Sequence, residues 1–348
     1  MLLVIFGAGA SFDSVADYPP GGHDDARPPL ANQLFENRRS FRETLARFHQ
    51  CQPLVTRLSN SETSLEEQLE QAQSEAGKHP ARHQQLAAIR FYIRTIIWEV
   101  ETAWTNRHLG VTNYKTLLDD LERWRSENNE EICLVTFNYD KMLESALSVL
   151  GVTCNSLEDY VAPRNYKLIK IHGSVDWVHP SNAIRDPQTA MTDDAMIQHM
   201  INNAGMGTTL SNDFDVISSA EMAVQAVSPV RVVGLFPAIA IPVITKTAFE
   251  CPESHLKALR EAIPKVNRIL TIGWRGTEKH FLKLLKDNLT QMPKQVIVVA
   301  GSRSDADRVE SNLKAEGIGG IFNNCQGGFS QGLTRREIDH FLWAGGPN

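Results

Sequence analysis

Four short segments of this 348-residue chain carry groups of the kinds that grip phosphates or move protons. The first, Gly7-Ala8-Gly9-Ala10-Ser11, directly follows the apolar run Leu2 to Phe6. Small residues behind a buried strand let backbone N–H groups approach a diphosphate closely, and a tight strand-to-helix turn without a ligand uses the same residues. The dinucleotide fingerprint G-x-G-x-x-G is incomplete: Phe12 stands where its last glycine belongs, and no acidic ribose ligand follows on a second strand ~20 residues later. A standard dehydrogenase is therefore disfavoured. The second segment, Thr136-Phe137-Asn138-Tyr139-Asp140, offers an amide and a carboxylate, although Asn138 and Asp140 serve equally as caps for a helix expected over 141–150. The third, Lys170-Ile171-His172-Gly173-Ser174, supplies an imidazole, the side chain best suited to proton transfer near neutral pH. In the fourth, Thr271-Ile272-Gly273-Trp274, Gly273 allows a close backbone approach, while Trp274 reads either as a stacking surface and pocket wall or as core.

The elements that must position these groups are apolar runs without polar alternation, the pattern of buried parallel strands. They are Leu2 to Phe6, Ile132 to Phe137, Leu168 to Ile171, Arg268 to Ile272 and Gln295 to Ala300, with a weaker sixth at Gly320 to Phe322. Amphipathic stretches at 278–289 and 305–316 supply crossover helices. This is an α/β pattern with a doubly wound, mostly parallel, Rossmann-like sheet, and such sheets bind ligands at the carboxyl edge, where all four segments fall. Several reactive groups converging on one rim are a stronger signal than any one of them.

Two regions interrupt the pattern. Residues 30–128 show apolar positions at helical spacing, notably Leu86, Ile89, Ile93, Ile97 and Trp104, and read as an inserted helical subdomain. Within it the 61–64 stretch offers N-caps, with Ser64 and Glu67 at capping-box spacing. Residues of about 180–261 read as an irregular accessory region, a lid, a binding loop or a small accessory layer. The Rossmann-like core is then 1–29 and 129–348.

Thirty-five Lys and Arg against 41 Asp and Glu give a net charge of -6, so broad attraction to nucleic acid is not expected. The pairs Arg38-Arg39 and Arg123/Arg125 read as solvated helix faces, and the cluster His23, Asp24, Asp25 as a solvated loop rather than a metal site. Five scattered cysteines without C-x-x-C argue against a disulfide framework and a thiolate zinc site, and fit the cytoplasm. Leu2 to Phe6 is too short for a secretory signal, and the longest apolar run, Val232 to Ile244, is interrupted by Pro237 and Pro242 and falls short of the ~20 residues that cross a bilayer.

In this order the motifs resemble those of the sirtuin fold, specifically the sirtuin-like domains of bacterial anti-phage defence systems. The resemblance rests on Gly7 to Ser11, Thr136 to Asp140 and His172-Gly173, and more loosely on Gly273-Trp274. It implies that Gly7, Ala8, Gly9, Ala10 and Ser11 cradle the diphosphate of NAD, that Thr136, Phe137, Asn138 and Asp140 surround the nicotinamide ribose, and that His172 is essential. The paired C-x-x-C zinc ribbon of protein-deacylating sirtuins is missing, and their G-I-P-D-F-R segment is replaced by Phe12-Asp13-Ser14 and, later, Arg27-Pro28-Pro29-Leu30-Ala31. Both departures point away from deacylation and toward an NAD hydrolase without zinc, releasing ADP-ribose and nicotinamide. In that reading His172 is the base acting on a ribose hydroxyl or on water, Asn138 positions water and ribose, and Asp140 holds the nicotinamide carboxamide or stabilises developing positive charge. The alternatives are a non-catalytic sensor of NAD or an ADP-ribose derivative, and a zinc-independent deacylase or ADP-ribosyltransferase. An NAD hydrolase left active would drain a central metabolite, so low, gated activity is expected, with the helical insert of about 30–128 as the gate and a homo-oligomer as its form; the resemblance alone further implies a partner such as an ATPase or a nucleic-acid sensor. The apolar positions Phe91, Ile97, Trp98 and Trp104 suggest surface left for a subunit contact.

Overall fold

The computed structural model describes all residues except 16–24, 60–64, 163, 186–191, 220–221, 229–230, 244–248 and 345–348. The capping box at Ser64 and the residues His23 and Asp24 lie outside the described set. Its strands are β1 (Leu2–Phe6), β2 (Ile132–Thr136), β3 (Tyr166–Lys170), β4 (Gly173–Arg185), β5 (Asp215–Val216), β6 (Val224–Ser228), β7 (Arg231–Ile239), β8 (Arg268–Ile272), β9 (Gln295–Ala300) and β10 (Ile321–Gln326). The chain divides into two compact units, 1–30 with 101–172 and 246–348, and 31–100 with 173–245.

The first unit is built on a six-stranded, wholly parallel sheet in the order β10-β9-β8-β1-β2-β3. Every residue of β1 and β2 is buried, because helices cover both faces. Alternate residues take opposite faces. Leu3 and Ile5 join Val135, Ile169, Ile269 and Val298 in a core completed by Leu259, Phe281, Leu285 and Val309, from the helices Glu253–Ala262, Lys279–Asn288 and Arg303–Ala315. On the other face Phe6 packs against Tyr114 of the helix Asn113–Asn128, ring centroids 5.4 Å apart. From β1 the chain winds outward through β2 to β3, then returns to β8 on the other side of β1 and winds outward again to β10. The strand order thus reverses between β1 and β8, the place where open α/β sheets present a crevice at their carboxyl edge.

The second unit holds an antiparallel sheet, β5-β4-β7-β6, with the helices Arg39–Arg47, Gln52–Ser59, Leu65–Glu75 and Asp193–Asn202. The expectation of irregular structure over about 180–261 is corrected here: β4 and β7 pair along most of their lengths. Their alternation is hidden in the sequence by two register shifts, between Gly173 and Val178 and between Pro180 and Ile184, which put the side-chain pattern out of phase.

The division also differs from that of a single helical insert over 30–128. Residues 101–128 cluster with the parallel sheet, because the helix Asn113–Asn128 buries Tyr114, Leu117, Leu118, Leu121 and Trp124 in that unit. Phe91 and Trp104 are fully buried and Ile97 nearly so, while the partly buried Trp98 packs on the Val178, Ile217 and Leu235 cluster. The surface inferred for a subunit contact is therefore already covered within the chain. Arg38, expected on a solvated face, is buried with its guanidinium 4.8 Å from the Phe41 ring and bonded to Glu36 at 3.1 Å. Among the described residues, no helix is long and apolar enough to cross a membrane.

Candidate functional site

Because the sheet is parallel and β8, β1, β2 and β3 are consecutive neighbours, the four sequence segments lie side by side along one edge, in the order Gly273, Gly7, Asn138, His172. Three inter-strand spacings make this rim on the order of 15 Å long.

At the switch point the glycines are required by the approach of one chain segment to another. A Cβ on Gly7 would lie 2.6 Å from both the carbonyl oxygen of Gly273 and the Cα of Trp274, and one on Gly9 would lie 2.8 Å from the Gly273 Cα. The Gly7 N–H donates to Ile272 at 3.0 Å and the Gly9 N–H to Gly273 at 3.0 Å. Gly273 itself has φ +59°, the left-handed region that favours glycine. Ala10 and Ser11 are buried, which leaves Ala8 and Gly9 as the partly exposed part of the loop. Arg27, named in the sequence only as part of a proline segment, is buried and clamps the loop's far side, its Nε donating to the Phe12 carbonyl at 2.8 Å and its guanidinium 3.7 Å from that ring's centroid. Asp13 accepts the Ser330 N–H at 2.9 Å and the Ser330 hydroxyl at 2.6 Å, tying the loop to the chain's last helices.

At the end of β2 the Thr136 hydroxyl accepts the Asn138 N–H at 3.1 Å, shaping the turn. Asn138 does not cap the helix Met142–Val149. Its carboxamide Nδ2 points back to the first loop, lying 3.0 Å from the Gly7 carbonyl, 2.9 Å from Ser11 Oγ and 3.2 Å from Tyr114 Oη. A carbonyl oxygen only accepts, so the Gly7 contact fixes which end of the amide faces inward. Asn138 Oδ1 is left buried without a hydrogen-bond partner among the described residues. Asp140 precedes the N-cap residue Lys141: its Oδ1 accepts the Met142 N–H at 3.1 Å, and its Oδ2 accepts the Ser11 hydroxyl at 2.6 Å. Both carboxylate oxygens and the Ser11 proton are thus engaged by protein groups.

His172 is buried beside the same turn, its ring 4.9 Å from Phe137 in an edge-on contact and 6.4 Å from Tyr139. Phe137 in turn stacks on Trp274 at 5.6 Å, and the Trp274 indole N–H is held by Glu278 at 2.7 Å. Trp274 belongs to the core cluster, with Phe281 across it, so of its two sequence readings the structure places it as core. It supports Phe137, and Phe137 supports His172.

Beneath the rim lies a buried charge cluster that the sequence did not reveal. Lys170, fully buried on β3 two residues before His172, pairs with Glu144 at 2.8 Å and donates to the Asp140 carbonyl. Tyr160 donates to the same Glu144 oxygen at 3.1 Å, and Glu101 accepts the Lys141 N–H at 2.9 Å. Burial, reinforced by the charges of Asp140 and Glu144, raises the Glu101 carboxyl to about 8. The signal for this cluster in the sequence was Lys170 within the otherwise apolar run Leu168 to Ile171, which demands a buried acid. Among the described residues no cluster of three or more His, Cys, Asp or Glu side chains is placed to hold a metal ion. Compared with the models of known protein families and with curated proteins, the chain matches none.

Proposed function

We propose that this protein cleaves NAD at the bond between nicotinamide and ribose, releasing nicotinamide and ADP-ribose. The observation that carries this reading is the Asn138 carboxamide, anchored by its nitrogen to the glycine loop at the switch point and left with a buried acceptor oxygen, with His172 flanking the same turn. An acceptor of this kind suits an O–H group, a ribose hydroxyl or the attacking water. Cleavage passes through an oxocarbenium-like transition state, and nicotinamide departs as a neutral molecule, so the leaving group needs little acid assistance. The protein's tasks are then orientation, by Asn138, and acceptance of one proton from water or hydroxyl, by His172. Ala8, partly exposed at the start of the first loop, offers that loop's backbone to the diphosphate, the Gly9 N–H being held by Gly273. Asp140 is read as an orienting carboxylate, since its two oxygens are already bonded to Met142 and Ser11.

A cell tolerates such an activity only when it is restrained, so we further propose that turnover is gated, in a homo-oligomer and by a defence-type partner. Exposed Leu109 and Val111, and Ile321 on the edge strand β10, are apolar positions suited to subunit contact.

The test is nicotinamide release from NAD by the full chain, followed by chromatography. Wild type is expected to produce nicotinamide and ADP-ribose in equal amounts, and His172→Ala and Asn138→Ala, shown to be folded by circular dichroism, to lose at least ~100-fold in rate. Equal release by wild type and both variants would refute the assignment, and NAD binding without release would make the protein a sensor.

A further inference from the structure

Resting on the NAD-cleavage reading, we infer that Tyr114 is a positioning residue of the site, donating its phenolic proton into a one-way hydrogen-bond chain that ends on Asp140 and holds the Asn138 carboxamide in its working orientation.

The direction of the chain follows from counting protons. Ser11 Oγ donates its single hydroxyl proton to Asp140 Oδ2 at 2.6 Å. Ser11 Oγ and Tyr114 Oη are 2.9 Å apart. With the serine proton already placed, this contact is a bond only if Tyr114 donates. Asn138 Nδ2 has two protons: one points to the Gly7 carbonyl at 3.0 Å, and the other falls between Ser11 Oγ at 2.9 Å and Tyr114 Oη at 3.2 Å. Apart from the Asn138 proton held by the Gly7 carbonyl, the protons run from Asn138 and Tyr114 through Ser11 toward Asp140. Reversing the amide would set its oxygen against the Gly7 carbonyl and two already saturated hydroxyls.

Tyr114 is built for this position. It is buried on the first turn of the helix Asn113–Asn128, its ring held between Phe6 at 5.4 Å and Phe329 at 5.5 Å. Burial, then the negative charge of Asp140, raises its hydroxyl well above the ordinary tyrosine value, so it stays a protonated donor throughout the physiological range. Ser11 and Asp140 thereby act on Asn138 rather than on the substrate.

Tyr114→Phe removes only the hydroxyl and keeps the ring packing. In the full chain it is expected to lower kcat for nicotinamide release about tenfold while leaving KM for NAD within about twofold, because orientation in the transition state is lost and ground-state binding is not. A second measurement needs no turnover. In protein labelled with nitrogen-15 at asparagine, the Asn138 carboxamide resonances, assigned by their loss in Asn138→Ala, are expected to shift in Tyr114→Phe while those of Asn288 stay in place. If wild type releases no nicotinamide the cleavage reading falls, and the resonances alone decide the role of Tyr114. A folded Tyr114→Phe whose kcat and Asn138 resonances both match wild type overturns the inference.

Discussion

The side chains at the rim are organised by protons more than by charge. Asn138 owes its orientation to an acceptor that cannot donate, the Gly7 carbonyl, and Ser11 relays the demand of Asp140. Below them Lys170 pairs with Glu144, and burial together with the nearby charges of Asp140 and Glu144 raises the Glu101 carboxyl. Its ordinary value is near 4.5, and in the folded protein it is about 8, so the native state binds more protons than the unfolded chain across that interval. Stability contributed by this group is therefore present at low pH and is lost as pH rises from about 4.5 to about 8. Glu101→Gln mimics the protonated acid and still accepts from Lys141. Thermal midpoints of the variant and wild type are expected to coincide near the acid end of that window and to diverge in favour of the variant toward its alkaline end. A constant offset across the window would contradict the assignment of that proton to Glu101.

Among the elements, the junction of β1 with β8 carries the tightest geometric demand. Gly273 combines a left-handed φ with the close backbone of Gly9 and Ala10, the first atoms an added Cβ would meet. Gly273→Ala is expected to destabilise the chain by on the order of 3 kcal/mol, read from the shift of the urea midpoint. Gly301, at the end of the neighbouring β9, provides the control: a Cβ there meets nothing within 4 Å, and Gly301→Ala is expected to change stability by less than about 0.5 kcal/mol. Equal effects at both positions would show that the close approach of the two loops does not constrain the fold. The same junction explains why a glycine run after β1 is an ambiguous sign in sequence. Gly7 and Gly9 are needed for packing against Gly273 whether or not a diphosphate is ever bound beside Ala8.

For the molecule as a whole, the gating proposal predicts a homo-oligomer in solution with low basal turnover. Light scattering coupled to size separation, together with the nicotinamide assay, checks it, and a strict monomer with full, partner-independent turnover would show it to be wrong. The parallel sheet was legible in the sequence because a strand buried on both faces is written as a continuous apolar run, and five such runs lie within two residues of β1, β2, β3, β8 and β9. The rim residues were legible for the same local reason, since a strand's end and the groups just beyond it are adjacent in the chain. What the sequence left open was decided by contacts between distant residues. Nothing local marks Tyr114 as a neighbour of Ser11 and Asn138, or pairs Lys170 with Glu144, because those hydrogen bonds join helices and strands 24 to 103 positions apart. The antiparallel sheet of 173–245 stayed hidden because its register shifts break the alternation by which a half-buried strand is recognised. The division of the chain into two units likewise follows from which apolar faces meet, and only the folded chain brings those faces together.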